Sequence, residues 1–330
     1  MRGDLALRAN FATIDNSQNG NILDRRAGRT LSTEEAEVLA RALNDKIKLP
    51  CKFTFEPTIH HRAVLIFRGG FSDMITGNDS TYNQGRLREI NKIVSCKPLD
   101  DDENSQYTAN IVNEFLEKAY TILDNHPVNK ERRKKGLMPA NFLLVRGAGI
   151  EIPKLKFYKK WMSIAYMPLE IGFSKTCGME TFSFDYPLLD KLDVYENLYA
   201  GLKKICNFSI KALEKNHKNF DYAYIHIKET DTPGHDNKPL EKKEMIEFVD
   251  NNLFKFLRMF APSKGIRIVV TADHSTPCNL KAHSADPVPV LLYEPNKSIP
   301  REKRFCERES KLGALGRIEG KDLLKKVRFA

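Results

Sequence analysis

Long apolar runs are missing from this sequence. None approaches the roughly 20 residues that a helix needs to cross a bilayer, and the first residues are too polar for the core of a signal peptide. Cysteine pairs of the CxxC type are missing as well, because the six cysteines are scattered along the chain. We therefore expect a cytoplasmic protein with reduced thiols and no membrane partner.

Nucleic-acid-binding motifs are missing too, although the formal net charge is +10. Basic residues cluster at 132–135 and at 154–160, and aromatic side chains do not interleave with the first cluster. Charge alone attracts any anion, whereas nucleic-acid recognition needs a recognisable module. We interpret both clusters as solvated surface and expect no nucleic-acid partner.

Length and composition predict two domains. A chain of 330 residues is long for a single domain, and it contains neither internal repeats nor low-complexity tracts. Residues 125–139 are basic and contain Pro127, Gly136 and Pro139, which is typical of a linker. We therefore place the boundary between a domain at 1–139 and a second at 140–330.

The second domain alternates strand and helix patterns. Apolar runs at 141–145, 161–166, 222–227 and 266–271 read as strands, and longer amphipathic segments between them read as helices. Nearly continuous apolar strands are typical of a parallel sheet that is covered on both faces. The pattern predicts an α/β fold with a mostly parallel sheet flanked by helices.

Metal-ligating side chains follow two of these strands. Asp231 and His235 come after the strand at 222–227, Asp273 and His274 come directly after the strand at 266–271, and His283 follows. Active sites of open α/β sheets lie at the carboxyl ends of strands. Carboxylate with imidazole favours Zn²⁺ or Mn²⁺. Five ligands exceed the needs of one tetrahedral ion, so we expect two divalent ions of the kind that promote phosphoryl transfer.

Arginines beside glycines form a second candidate site. Arg25 and Arg29 lie in the segment 24–29, and Arg146 precedes Gly147 at the end of a predicted strand. Guanidinium groups bind phosphate and carboxylate through paired hydrogen bonds. Ordinary surface arginines would show the same composition, so this set alone leaves both interpretations open.

Together these motifs resemble a known family. The stretches 7–13, 24–29, 228–235, 271–277 and 313–318 are similar to the archaeal-type 2,3-bisphosphoglycerate-independent phosphoglycerate mutases of the alkaline phosphatase superfamily. The resemblance implies interconversion of 2-phosphoglycerate and 3-phosphoglycerate, in glycolysis and gluconeogenesis, by a phosphatase-like core with an inserted α+β capping domain. It implies two divalent ions, with Mn²⁺ expected and Zn²⁺, Co²⁺ or Mg²⁺ compatible.

The resemblance also implies a role for each candidate residue. One ion would be bound by Asp231, His235 and His283, and the other by Asp273 and His274. Lys175 matches the family lysine beside the nucleophile, and Arg25, Arg29 and Arg146 would bind the phosphate and carboxylate of a small phosphorylated substrate.

One part of the family pattern is not found. Family members begin with an apolar strand that ends in Asp-Gly, whose Asp binds the second metal, and a nucleophilic Ser or Thr follows. No such segment precedes Met1. We therefore expect an amino-terminally truncated mutase with an exposed apolar sheet edge. The alternatives are another phosphate-ester enzyme of this superfamily, or a metal-binding remnant without activity.

Overall fold

The structure, a computed structural model, describes residues 3–15, 20–79, 92–187, 193–295, 297 and 304–329. The chain divides into two compact units, one of residues 1–155 with 188–197 and one of residues 156–187 with 198–330. The predicted boundary at 139 falls inside the first unit, and the predicted roles of the two halves stay a prediction. None of the helices in the described ranges combines the length and the apolar character that a bilayer crossing requires.

The first unit contains an antiparallel sheet of five strands. They are β1 (Leu5–Ile14), β2 (Ile22–Asp24), β3 (Phe53–Pro57), β4 (Arg62–Phe67) and β5 (Phe142–Gly149). The order is β2-β1-β4-β3, and β5 also pairs with β1. Asn19-Gly20 between extended segments predicts a β-hairpin, and the pairing of β1 with β2 confirms it, although Asn19 lies outside the described residues. Placing β5 in the parallel sheet was wrong, because it runs antiparallel to β1. Its apolar run signals burial but does not specify the neighbouring strand.

The described part of the first unit also contains three α-helices, namely α1 (Thr33–Lys46), α2 (Glu103–Asp124) and α3 (Pro127–Lys134). The sequence Ser32-Thr33-Glu34-Glu35 predicts a capping box, and α1 begins there, with Ser32 and Glu35 satisfying each other's backbone N–H groups. Phe115 of α2 packs on Phe53, Phe55 and Phe67 of the sheet, with ring centroids 5.2–6.2 Å apart. The core of this unit therefore lies between the sheet and α1 and α2.

The turn between β3 and β4 makes stability in this unit depend on pH. Burial, followed by the nearby Arg62, lowers the pKa of His60 to about 4. Because the unfolded chain takes up a proton near pH 6.5 and the folded turn does not, stability falls as pH drops from about 6.5 towards 4, by up to about 1.4 kcal/mol per pH unit.

A His60→Asn variant isolates this effect. The backbone of His60 has φ 54°, which asparagine tolerates well. We expect near wild-type stability at pH 7 and a variant about 2 kcal/mol more stable than wild type at pH 5. Urea unfolding followed by circular dichroism at both pH values measures the difference. An equal difference at the two pH values would contradict the titration of His60.

Two sheets are formed by the residues of the second unit that the structure describes. Strands β6 (Trp161–Ile164), β7 (Glu180–Phe182) and β8 (Tyr222–Ile225) form a parallel sheet in the order β7-β6-β8, which confirms the predicted parallel pairing. Strands β9 (Ile268–Val270) and β10 (Leu291–Tyr293) pair antiparallel with each other. Both faces of β9 were expected to be buried, but its residues are only half-buried. Strands β8 and β9 do not pair with each other in the part of the chain that the structure describes, although the loops that follow them meet at one site.

The described residues of the second unit also form helices. They are α4 (Pro168–Thr176), α5 (Val194–Asn216), α6 (Thr232–His235), α7 (Pro239–Val249), α8 (Lys255–Lys264), α9 (Glu307–Ser310) and α10 (Leu323–Lys326). The apolar spacing at 242–260 predicts one helix, and a π-helical turn at Asp250–Phe254 joins α7 to α8 there. The carboxyl ends of β8 and β9 carry the loops that hold the candidate site.

Candidate functional site

The loop after β8 presents Asp231 and His235 on one turn of backbone. A 3-10 turn at Glu229–Asp231 runs directly into α6, whose first turn contains Pro233, a residue suited to that position. This places His235 Nε2 3.4 Å from Asp231 Oδ2. His235 Nδ1 lies 3.0 Å from the carbonyl oxygen of Lys281, and this contact directs Nε2 towards Asp231.

The loop after β9 brings the other three predicted ligands to the same place. Asp273 and His274 follow the strand, and a bridge between Ser275 and Ser284 folds the chain back so that His283 stacks on His274 with ring centroids 3.6 Å apart. His283 Nε2 then lies 3.2 Å from His235 Nε2 and 3.6 Å from Asp231 Oδ1. The structure thus joins all five predicted ligands in one chain of contacts.

The donor set fits a divalent cation. One ligand atom each of Asp231, His274 and His283 lie within 4.8 Å of one another. His274 Nε2 lies 3.3 Å from Asp273 Oδ2. Acceptor atoms that face each other this closely need a proton or a cation between them, and mixed nitrogen and oxygen donors suit Zn²⁺ or Mn²⁺. The division of the five ligands between two ions stays a prediction.

The electrostatics keep Asp231 and His283 in their metal-binding forms. Burial raises the pKa of Asp231, but hydrogen bonds from His235 and Thr276 and the nearby imidazoles outweigh it and hold this pKa well below its usual range. Burial, with His274 alongside, lowers the pKa of His283. A carboxylate and a neutral imidazole are therefore present at neutral pH, and these are the forms that bind metal.

A buried carboxyl group holds the first loop in place. Glu229 is 1% exposed, and it accepts hydrogen bonds from the hydroxyls of Tyr166 at 2.6 Å and Tyr186 at 3.0 Å. The backbone N–H of Lys228 lies 2.8 Å from the Tyr166 oxygen. Since Tyr166 and Tyr186 follow β6 and β7, Glu229 ties the ends of three parallel strands together two residues before Asp231. Burial raises the pKa of Tyr166 well above its usual value, so this hydroxyl stays a donor.

A substitution at Gly201 on α5 tests the contact between Tyr186 and Glu229. A Cβ at Gly201 would lie 2.1 Å from the Tyr186 hydroxyl oxygen, whereas a Cβ at Gly172 on α4 would meet nothing within 4 Å. We expect Gly172→Ala to stabilise the protein by about 0.5–1 kcal/mol through helix propensity. We expect Gly201→Ala to destabilise it by about 1–3 kcal/mol, because Tyr186 must leave the buried carboxyl group.

Urea unfolding followed by the fluorescence of Trp161, the single tryptophan, compares the two variants within one unit. Equal stabilisation by both alanines would show that the Tyr186–Glu229 contact contributes nothing.

The predicted arginine site lies in the first unit around a buried acid. Asp79 is 1% exposed and pairs with Arg25, and Arg146 Nε lies 3.7 Å from Asp79 Oδ2. The neighbouring Asn78 anchors this acid, since its side chain donates to the carbonyl oxygen of Leu143 and accepts from the backbone N–H of Val145, both in β5. Arg25 and Arg146 are thus brought together. Arg29 lies in a 3-10 turn at Ala27–Arg29. Burial lowers the pKa of His61, followed by the charges of Arg62, Arg26 and His60, and Arg29 adds the smallest contribution.

Lys175 is exposed near the end of α4, and its neighbour Ser174 is buried against Ser163, with their hydroxyl oxygens 2.7 Å apart. The structure also reveals residues that we did not predict. Thr276 and Glu229 lie inside the quoted motifs, and their spacing to the ligands could have singled them out. Nothing in the sequence around Tyr166 and Tyr186 signals that their hydroxyls meet Glu229.

Two family models match the chain. The model of 2,3-bisphosphoglycerate-independent phosphoglycerate mutase covers residues 1–129, and that of the metalloenzyme superfamily covers residues 200–326. The second range contains all five predicted metal ligands, and the first contains Arg25 and Arg29.

Two relatives carry the name of the first of these families, and one solved structure is similar to the whole chain. The 2,3-bisphosphoglycerate-independent phosphoglycerate mutase of Thermococcus kodakarensis is 37% identical over 97% of this chain and 74% of its own length. A mutase of that name, numbered 1, from Archaeoglobus fulgidus is 38% identical over 98% of this chain and 75% of its own length. The structure of the PH0037 protein from Pyrococcus horikoshii has a TM-score of 0.66 at 28% identity and covers 100% of this chain and 75% of that one. On this evidence the chain belongs to the 2,3-bisphosphoglycerate-independent phosphoglycerate mutases, which have an alkaline-phosphatase-like α/β fold.

Proposed function

We propose that this protein acts in the interconversion of 2-phosphoglycerate and 3-phosphoglycerate by metal-dependent phosphoryl transfer. The observation that carries the proposal is the convergence of Asp231, His235 and His283 with Asp273 and His274, at the ends of β8 and β9, in a chain of the mutase family. Two carboxylates and three imidazoles gathered from separate loops suit a bound metal better than a stabilising surface contact.

Each group of residues has a role in this proposal. Asp231, His235 and His283 would bind one divalent ion, and Asp273 with His274 would bind a second, with Mn²⁺ as the expected metal. When bound, such ions supply positive charge that stabilises the phosphoryl oxygens during transfer. Lys175, by its match to the family motif, would add a further positive charge near the reacting group.

The arginines would bind the substrate. Asp79 orients the guanidinium groups of Arg25 and Arg146, and guanidinium binds phosphate and carboxylate in the same bidentate manner. Arg29 would contribute from the adjacent turn. The substrate is then a small phosphorylated acid, and the reaction belongs to glycolysis and gluconeogenesis in the cytoplasm.

The test is an assay of the purified chain with MnCl₂. Conversion of 3-phosphoglycerate to 2-phosphoglycerate and release of inorganic phosphate are measured in parallel, with Asp231→Ala as the control. Bound Mn²⁺ is quantified in the same samples, so that activity and metal binding are separated.

Each outcome decides between the alternatives. Conversion that vanishes in Asp231→Ala supports the mutase function of these 330 residues. Phosphate release without conversion would instead make the protein a phosphatase. Bound metal with neither product would support the alternative of a metal-binding remnant and overturn the proposal for this chain.

A further inference from the structure

Thr276 lies between the two loops that carry the predicted ligands. Its side chain is almost fully buried at 4% exposure, two residues beyond His274. The Thr276 hydroxyl donates to Asp231 Oδ1 at 2.7 Å, and its oxygen lies 3.1 Å from His274 Nδ1. The Lys242 ammonium group donates a hydrogen bond to the Thr276 carbonyl oxygen at 2.8 Å, so helix α7 also helps to fix the position of this residue.

The hydrogens available in this contact determine which ring nitrogen of His274 is protonated. A hydroxyl has one proton, and a carboxylate can only accept, so the Thr276 proton lies on the Asp231 side. The Thr276 oxygen is then an acceptor towards His274, so Nδ1 of that ring must carry a hydrogen. Nδ1–H leaves Nε2 as the ligand atom, and Nε2 is the nitrogen that faces Asp273 Oδ2 at 3.3 Å.

We propose that Thr276 is a positioning residue that presents His274 through Nε2 and Asp231 through a fixed carboxylate, and thereby couples the two metal subsites. This inference rests on the proposed metal-dependent function. Groups that orient metal ligands in this way typically change metal affinity by about 10–100-fold when they are removed. Because Asp231 and His274 are predicted to bind different ions, losing the hydroxyl weakens both binding events.

Two variants separate positioning from packing. Thr276→Val keeps the shape but removes the hydroxyl, and Thr276→Ser keeps the hydroxyl but removes the methyl group. Calorimetric titration with Mn²⁺ should show affinity reduced about 10–100-fold at both sites in Thr276→Val and close to wild type in Thr276→Ser. A purely structural role would show the reverse order, or a lower melting temperature of the metal-free protein with unchanged affinity.

A second measurement does not depend on metal. Nuclear magnetic resonance of the metal-free protein should show a protected Nδ1–H of His274 in the wild type and in Thr276→Ser, and its loss in Thr276→Val. A His274→Gln variant assigns the signal. An unprotonated Nδ1 in the wild type, or wild-type Mn²⁺ affinity in Thr276→Val, would overturn the inference. Failure of the wild type to bind Mn²⁺ would overturn the metal site itself, and the Nδ1–H signal would still decide the role of Thr276.

Discussion

Replacing Asp231 with Asn should weaken Mn²⁺ binding more than about 100-fold, because even indirect partners of metal ligands are worth about 10–100-fold. Asp231 contacts His235, His283 and Thr276. An amide keeps the shape of the side chain but removes the negative charge that offsets the charge of a cation. Mutase activity, where the wild type shows it, should vanish with the metal.

Calorimetry and thermal unfolding with and without Mn²⁺ measure this loss. A ligand at about 100 times its Kd stabilises a protein by about 2.7 kcal/mol, so the wild type should melt at a higher temperature with Mn²⁺ and Asp231→Asn should not. Asp221→Asn is the matched control, since Asp221 is 61% exposed and pairs only loosely with Lys160, at 4.0 Å. Equal Mn²⁺ affinity in the two variants would remove Asp231 from the metal site.

Replacing Gly77 with Ala should destabilise the first unit by about 2–5 kcal/mol. Gly77 has φ +69°, and a Cβ there would lie 2.3 Å from the carbonyl oxygen of Val145. A left-handed conformation costs a residue with a side chain about 1–2 kcal/mol, and forcing an atom into a packed site costs about 1–3 kcal/mol more. Moving the backbone at Gly77 would also displace Asn78 and Asp79, and Asp79 pairs with Arg25 and Arg146.

Gly70→Ala separates these two costs. Gly70 has φ +76°, and a Cβ there would meet nothing within 4 Å, so its alanine introduces the backbone strain without the clash. Urea unfolding followed by circular dichroism should show Gly77→Ala less stable than Gly70→Ala by about 1–3 kcal/mol. Equal losses in the two variants would mean that the approach to Val145 is not tight.

Local signals in the sequence predicted the local structure well. The capping box at Ser32 and the ligand pairs behind β8 and β9 depend on residues within a few positions of one another. Hydrogen bonds and side-chain periodicity over that range depend directly on the order of the residues. This is why the family, and the five side chains that the structure brings together as candidate metal ligands, could be predicted before the fold was known.

The sequence did not predict which distant segments contact each other. The apolar run of β5 predicted burial, yet its partner is β1, far earlier in the chain, as in the pairing of Ala9 with Val145. The hydroxyls of Tyr166 and Tyr186 meet Glu229 only because three strands end side by side.

The sequence by itself therefore determined the kinds of chemical group, their positions at strand ends and the family to which the chain belongs. Only the tertiary structure decided which groups touch: Thr276 between Asp231 and His274, and Asp79 between Arg25 and Arg146. The physical reason is that residue type and local order specify burial and hydrogen-bonding capacity, whereas the partner that satisfies a buried polar group is set by how remote segments pack.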